Sequence, residues 1–187
     1  MNKVLRKIVL TAMLTAFAVT ISITFKLIPG LNLEFPNGGS VFGLYTLPLV
    51  MIGILLGYKY GILGGLIYGT VSWLLDGYFL HWGSIFLDYL IPFSLVALSG
   101  AMFGKKNLDH FVYLTITFTL SFILRWVSHG LSGVLFFAEY SPEGTHPWFY
   151  SFILYNLPYV LSSSLISFII ALVIRKQIKQ LSETLDK

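Results

Sequence analysis

The chain of 187 residues is 56% hydrophobic and only 11% charged, whereas a soluble domain carries roughly 25% charged residues. A water-soluble fold is therefore excluded, and no length is left for a second, soluble domain. Cysteine is absent, which excludes disulfides, thiolate metal sites and cysteine nucleophiles. The formal net charge of +4 does not indicate nucleic-acid binding, because the basic residues cluster in segments expected at the cytoplasmic edge of a membrane.

Long apolar runs predict an all-α integral membrane protein whose single domain covers residues 1–187. A transmembrane helix needs about 20 mostly apolar residues. Hydropathy and turn signals predict a bundle of six such helices, near 7–28, 41–58, 60–76, 83–103, 111–137 and 148–174. A membrane β-barrel would alternate apolar and polar residues, which the continuous apolar run over 47–56 disfavours.

The distribution of basic residues predicts the orientation of the bundle. With the N-terminus inside, every lysine and arginine except Lys26 and Arg125 falls in a cytoplasmic segment. The positive-inside rule then predicts that both termini are cytoplasmic. Lys26 can extend its ammonium outward from the end of the first span, but Arg125 needs another explanation. The apolar stretch of the first span continues to Phe25, which favours a retained helix over a signal peptide.

Small residues recur every fourth position in two predicted spans. Ala12, Ala16 and Thr20 form a stripe in the first span, which can either pack inside the bundle or contact another membrane subunit. A second stripe in the third span predicts close helix packing within the bundle, and it consists of Gly57, Gly61, Gly65 and Gly69.

Ionisable residues within predicted spans are functional candidates, because placing a charge inside a bilayer costs a few kcal/mol. Asp88, Arg125 and His129 belong to this class. A rise of 1.5 Å per residue puts Asp88 about 7 Å, and His129 and Asn156 about 12 Å, from the outer membrane surface. Polar groups from three helices are therefore expected to meet in the outer half of the bundle.

Aromatic residues are predicted at the same depth. Some of them are expected to form an interfacial belt. Together with a carboxylate, a histidine and an amide, the others predict a pocket for a flat heteroaromatic molecule that can be cationic. The set comprises Tyr78, Trp82, Tyr89, Phe136, Phe137, Trp148, Tyr150, Tyr155 and Tyr159.

Structural explanations remain open for each polar candidate. Asp88 and Arg125 can form an ion pair that only holds helices together, and His129 can be a hydrogen-bonded packing residue. Asn156 can bond backbone that Pro158 leaves without a partner. Likewise, the Gly- and Pro-containing segment 29–40 can be a lid over the pocket or a plain connection.

One sequence motif offers an enzymatic alternative. Residues 130–133 match the G-x-S-G pattern of rhomboid-type intramembrane proteases, whose serine needs a histidine base within hydrogen-bonding reach. The nearest histidine, His129, precedes Ser132 on the same helix, so close helix packing is the favoured explanation. The chain has no phosphate-binding loop, so ATP-driven transport would need partner subunits. Ion-coupled secondary transport through Asp88 remains an alternative.

The motifs resemble the thiamin-specific substrate-binding subunits (S components) of energy-coupling-factor (ECF) vitamin transporters. The resemblance extends along nearly the whole chain. It rests on the runs 36–40 (PNGGS), 86–89 (FLDY), 124–126 (LRW), 128–129 (SH), 132–133 (SG), 140–144 (YSPEG), 147–151 (PWFYS) and 155–156 (YN).

Such a family implies a six-helix protein of the prokaryotic plasma membrane with thiamin bound near the outer face. It also implies a transmembrane coupling subunit and two cytoplasmic ATPases, with Ala12 and Ala16 as the docking surface, and no cofactor, metal or catalytic residue. Asp88 would face the cationic ligand, while His129 and Asn156 would hydrogen-bond it. The implied ring contacts are Tyr78, Tyr89, Tyr150 and Phe137. Another flat heterocyclic vitamin or a thiamin precursor remains an alternative ligand.

Overall fold

A computed structural model describes residues 2–28, 33, 35, 38–76 and 79–186. Within these residues the protein is helical and contains no strand, which confirms the predicted all-α class. Two short 3-10 turns, Gly104–Leu108 and Ala138–Tyr140, lie between helices. The helices are α1 (Lys3–Leu27), α2 (Thr46–Leu56), α3 (Tyr58–Asp76), α4 (Trp82–Ala101), α5 (Phe111–Phe136), α6 (Pro147–Val173) and α7 (Arg175–Asp186).

Four of these helices, α1, α4, α5 and α6, are long and apolar enough to cross a membrane. The 11 residues of α2 extend only about 16 Å, roughly half of a hydrocarbon core about 30 Å thick. α3 has 19 residues but is not among the four membrane-span candidates. The six-span count therefore stays a prediction as far as α2 and α3 are concerned.

α2 begins at Thr46, later than the predicted start of its span at 41. Residues 41–45 instead form turns, and Phe42 has a positive φ of 63°. Pro48 falls in the first turn of α2, where a missing amide hydrogen is tolerated. Gly57, with φ of 86°, ends α2 and lets α3 begin at the next residue. Gly57, the first glycine of the predicted stripe, therefore lies at the junction of α2 and α3.

The other glycines of the stripe bring α3 against α4. A Cβ on Gly65 would lie 2.5 Å from the carbonyl oxygen of Phe93, and one on Gly69 would lie 2.5 Å from that of Tyr89. At Gly61 the nearest backbone oxygen would be 3.1 Å away. Backbone-to-backbone contact at these positions confirms that the stripe packs inside the bundle.

Two helices contain a π-helical segment at the same end of the bundle. In α4 it covers Ile85–Leu90, and in α6 it covers Tyr150–Asn156. A proline, Pro92 or Pro158, follows each segment within two residues. Because proline has no amide hydrogen, the carbonyl four residues earlier loses its α-helical partner, and wider i→i+5 bonding becomes favourable.

Both ends of the described chain lie at the opposite end of the bundle. The Arg6 guanidinium in α1 donates a hydrogen bond to the carbonyl of Thr184 in α7, at 2.9 Å. Lys179 in α7 bonds Asp109 at 2.6 Å, and this bond lowers the pKa of the Asp109 carboxyl. The termini therefore share one side, while the prediction that this side is cytoplasmic remains untested.

Candidate functional site

A cavity of about 400 Å³ opens at the end of the bundle that carries the π-helical segments. Its walls come from α1, α3, α4, α5 and α6 and from the connection between α1 and α2. Six of the predicted substrate-binding residues line it together, namely Asp88, Tyr89, His129, Phe137, Tyr150 and Asn156. Tyr78, the seventh, lies outside the described residues.

The Asp88 carboxylate is held by two neutral donors from α5. Ser132 Oγ donates to Oδ2 at 2.6 Å, and His129 Nδ1 lies 3.2 Å from Oδ1. These bonds orient the carboxylate without neutralising its charge. The side chain of Asp88 remains 23% exposed, so a ligand in the cavity can reach it.

Arg125 determines the tautomer of His129. The guanidinium Nε donates to His129 Nε2 at 3.3 Å, and a guanidinium has no acceptor. Nε2 must therefore be unprotonated, and the proton of the neutral imidazole is on Nδ1, from which it is donated to Asp88. The three side chains form a directed chain of hydrogen bonds from Arg125 through His129 to Asp88.

The buried guanidinium of Arg125 is stabilised mainly by aromatic and hydroxyl groups. It is 2% exposed and donates to the Tyr45 hydroxyl at 2.5 Å and to Thr46 Oγ1 at 3.4 Å. The rings of Tyr45, Phe93 and Tyr159 lie 5.1 to 5.7 Å from it, within cation–π distance. Among the side chains that the structure describes, no direct Arg125–Asp88 ion pair is formed, because His129 lies between them.

Asn156 connects α6 to α5 through its amide nitrogen and also makes hydrogen bonds within α6. Nδ2 donates to the Ser151 carbonyl at 2.8 Å and to the His129 carbonyl at 3.4 Å. Oδ1 accepts a hydrogen bond of 2.6 Å from the Tyr159 hydroxyl. Asn156 therefore has a structural role inside the π-helical segment, although the carbonyl it bonds is not the one left free by Pro158. It can also offer the second lone pair of Oδ1 to a ligand.

Aromatic rings also line the cavity. Phe137 lies 6.2 Å from Tyr140, and Tyr150 lies 6.1 Å from Tyr155, measured between ring centroids. The connection after α1 contributes Phe35, whose ring meets Tyr155 edge-on at 5.6 Å. Only part of the predicted lid segment, residues 33, 35 and 38–40, is described; of these, residues 35 and 38–40 line the cavity.

Residues 8–183 match the family model described as thiamine transporter protein (Thia_YuaJ). The chain belongs to this thiamine transporter family. The thiamine transporter ThiT of Bacillus subtilis strain 168 is 30% identical over 178 residues, which cover 90% of each chain. ThiT of Lacticaseibacillus paracasei is 26% identical over 121 residues, covering 57% of this chain and 59% of the relative.

A solved structure of ThiT from Listeria monocytogenes has the same fold. It superimposes with a TM-score of 0.78 at 25% sequence identity, covering 97% of this chain and 99% of the other. The resemblance inferred from the sequence motifs is therefore confirmed at the level of the family.

Several cavity residues of this family member were not predicted from the sequence. Tyr45 and Tyr68 fall inside the predicted spans 41–58 and 60–76 and are not among the candidates named from the sequence, while Lys26 is predicted to extend outward from the end of the first span. The Lys26 ammonium instead bonds the Asp76 carboxylate, joining α1 to α3. A signal was present, because Tyr68, Ser72 and Asp76 recur every fourth residue along α3 and so share one face.

The structure also argues against the serine-protease alternative. Ser132 donates its hydroxyl hydrogen to the Asp88 carboxylate, and His129 directs Nδ1 to the same carboxylate. A nucleophilic serine needs an imidazole as the acceptor of its proton. Here the carboxylate lies between the two side chains, which suits binding of a cation and does not activate the serine.

Proposed function

We propose that the chain is the substrate-binding component of an ECF-type importer and that it binds thiamin in the cavity around Asp88. Thiamin joins an aminopyrimidine to a thiazolium ring that carries a permanent positive charge. The observation that carries the proposal is a partly exposed carboxylate, held by two neutral donors, in an aromatic cavity. Membership of the thiamine transporter family supports the choice of ligand.

The electrostatics of the site favour a cationic ligand. Arg125 and Asp88 carry opposite charges, but the neutral His129 separates them. The side of Asp88 facing the cavity thus keeps negative potential, and the attraction between opposite charges is stronger there than in water. Ring faces of Tyr150 and Phe137 add cation–π and stacking contacts. The cavity volume of about 400 Å³ falls in the range of small-molecule sites.

The face of α1 that points away from the bundle supports docking to a transmembrane coupling subunit. Ala12, Ala16 and Thr20 are exposed, whereas Thr11 and Thr15 on the adjacent face are buried against the bundle. Small exposed residues every fourth position let a second helix approach closely. Two cytoplasmic ATPases would supply the energy, and both termini would lie in the cytoplasm of a prokaryotic cell.

Titration of the purified protein with thiamin, followed by intrinsic fluorescence, tests the ligand. Saturable quenching by thiamin is expected, with little response to riboflavin or to the isolated hydroxymethylpyrimidine part of thiamin. Saturation by one of those compounds and none by thiamin would remove the substrate assignment. The substrate-binding class would then survive with a different flat heterocycle as ligand.

A further inference from the structure

Trp126 joins α5 to the π-helical segment of α6 from outside the cavity. Its indole Nε1 donates a hydrogen bond of 2.7 Å to the backbone carbonyl of Phe152, a residue of the segment Tyr150–Asn156. A carbonyl oxygen has two lone pairs, so it can accept this bond besides any bond within its own helix. Neither Trp126 nor Phe152 lines the cavity. The bond therefore holds one wall of the cavity from a side that a ligand in the cavity would not touch.

Ring contacts keep the indole of Trp126 in place. Its ring lies parallel to that of Phe122, one turn earlier on α5, at 6.0 Å between centroids. It meets the ring of Phe152 edge-on at 5.3 Å, and Phe152 stacks in turn on Trp148 at 5.4 Å. Gly130 leaves room for the Phe152 ring, which a Cβ at this position would approach to 2.5 Å. Trp126→Phe would keep most of these ring contacts but could not donate the hydrogen bond.

The cavity residues of α6 have the spacing of a π-helix. Tyr150 and Tyr155 are five residues apart, as are Ser151 and Asn156, and all four line the cavity. Five residues of an α-helix turn by about 140° beyond one full turn, so the members of each pair would point in different directions. In a π-helix, residue i bonds residue i+5, which brings residues five apart close to the same face. The π-helical form of the segment therefore turns both pairs toward the cavity.

Two further hydrogen bonds join this segment to α5, and both come from residues that line the cavity. Ser151 Oγ donates to the Gly130 carbonyl at 2.8 Å, and Asn156 Nδ2 donates to the His129 carbonyl at 3.4 Å. The bond from Trp126 differs because its donor lies outside the cavity, on a helix apolar enough to cross a membrane. Little water is available there to replace a lost bond. The Trp126 bond thus stabilises the segment independently of any ligand contact.

We propose that Trp126 is a positioning residue of the substrate site, because its bond to the Phe152 carbonyl holds α6 in the π-helical form that turns Tyr150 and Asn156 into the cavity. Positioning matters only when a ligand occupies the cavity, so this role rests on the proposed function. Trp126 acts through α6 and not through the Asp88 carboxylate, whose two donors lie on α5. Because linked equilibria are reciprocal, a bound ligand strengthens the Trp126 bond by the factor by which that bond strengthens binding.

Calorimetric titration with thiamin tests the effect on affinity. Trp126→Phe should bind thiamin roughly threefold to tenfold more weakly than the parent, the equivalent of one neutral hydrogen bond. Trp73→Phe is the matched control on α3, since Trp73 meets Phe79 edge-on and does not line the cavity. It should bind thiamin like the parent. Equal affinity of the parent and Trp126→Phe would overturn the positioning role.

Double-mutant cycles separate positioning from a general loss of packing. With Tyr150→Ala in place, a ring that Trp126 positions is gone, so adding Trp126→Phe should weaken binding by a smaller factor than in the parent. With Asp88→Asn in place, the factor should equal that in the parent. Equal factors in all three backgrounds, or a factor reduced only by Asp88→Asn, would contradict action through α6.

Hydrogen exchange of the indole needs no variant and keeps the role testable if Trp126→Phe does not fold. In nitrogen–proton NMR spectra, the Nε1–H signal of Trp126 can be assigned through its contacts with the Phe152 ring. Its exchange should slow by roughly threefold to tenfold with thiamin bound, while that of Trp73 should not change. A Trp126 exchange rate that thiamin does not alter would overturn the positioning role alone. A parent protein that binds no thiamin would overturn the proposed function and this role together.

Discussion

Arg125 donates its Nε hydrogen to Nε2 of His129 across 3.3 Å, one helical turn apart on α5. The arrangement determines which nitrogen of the imidazole carries the proton. It thereby makes His129 a donor toward Asp88, which can then present negative charge to the cavity.

The first prediction concerns the charge of Asp88. Asp88→Asn should weaken thiamin binding about a hundredfold or more, because a charge pair at 4 Å is worth about 4 kcal/mol at an effective dielectric constant near 20. Asp88→Glu keeps the charge and should retain most of the affinity. Isothermal titration calorimetry of both variants is the measurement. Near-parental affinity in Asp88→Asn would contradict the role of this carboxylate.

The second prediction concerns the Arg125–His129 bond. In Arg125→Met, Nε2 loses its donor and becomes free to take a proton. The imidazolium would compete with thiamin for Asp88, so thiamin affinity in this variant should fall as the pH is lowered from about 8 to about 5.5. The parent should show a weaker dependence over the same range.

Nitrogen-15 NMR of histidine-labelled protein checks the same point directly. The parent should show the Nδ1-protonated neutral tautomer of His129 at neutral pH. An Nε2-protonated tautomer would contradict the hydrogen-bond chain. Thermal unfolding of Arg125→Met serves as the control for loss of the bonds to Tyr45 and Thr46.

The third prediction concerns helix packing. Gly65→Ala should destabilise the protein by about 1–3 kcal/mol, because its Cβ would come 2.5 Å from the Phe93 carbonyl oxygen. Gly61→Ala is the matched variant on the same stripe, and its 3.1 Å approach should cost less. Melting temperatures in detergent measure the difference. Equal loss of stability in both variants would argue against backbone contact as the cause.

The fourth prediction concerns the exposed face of α1. Ala12→Trp combined with Ala16→Trp should leave thiamin binding unchanged, because neither residue lines the cavity. Uptake of thiamin by cells that also express a coupling subunit and the ATPases should be lost. Leu74→Trp, at an exposed position on α3, is the matched control and should support uptake.

Two results would count against this docking surface. Full uptake by the double variant would exclude the α1 face as the contact. Uptake by the parent that needs a proton gradient and no ATPase would instead favour a secondary transporter.

The sequence predicted the depth of the site residues better than the hydrogen bonds between them. Asp88, His129 and Asn156 line one cavity at the same end of the bundle, as expected because depth follows from the constant rise of a helix. The rotation of each helix about its own axis, which sets the direction of its side chains, is less regular. Prolines at 92 and 158 accompany π-helical segments, and a wider helix changes which side chains face the cavity. The partners of Asp88 and Asn156 therefore became visible only in the fold.

The pairing of charged residues far apart in the sequence could not be predicted for a similar reason. Lys26 and Asp76 are 50 residues apart, and neither residue's own surroundings in the sequence indicate the other. From the sequence alone, Lys26 is explained locally, as a side chain that extends its ammonium toward the membrane surface. Their bond depends on the crossing of α1 and α3, which in turn depends on glycines that let α3 approach its neighbours.

The sequence by itself determined that the protein is an all-helical membrane protein, because composition and apolar run length are set by the bilayer and not by tertiary contacts. Its motifs also sufficed to recognise the family. Only the tertiary structure decided that His129 separates Arg125 from Asp88 and that Lys26 pairs with Asp76. Hydrogen bonds need distances and angles defined to a few tenths of an ångström, and that precision comes from the packing of several helices at once.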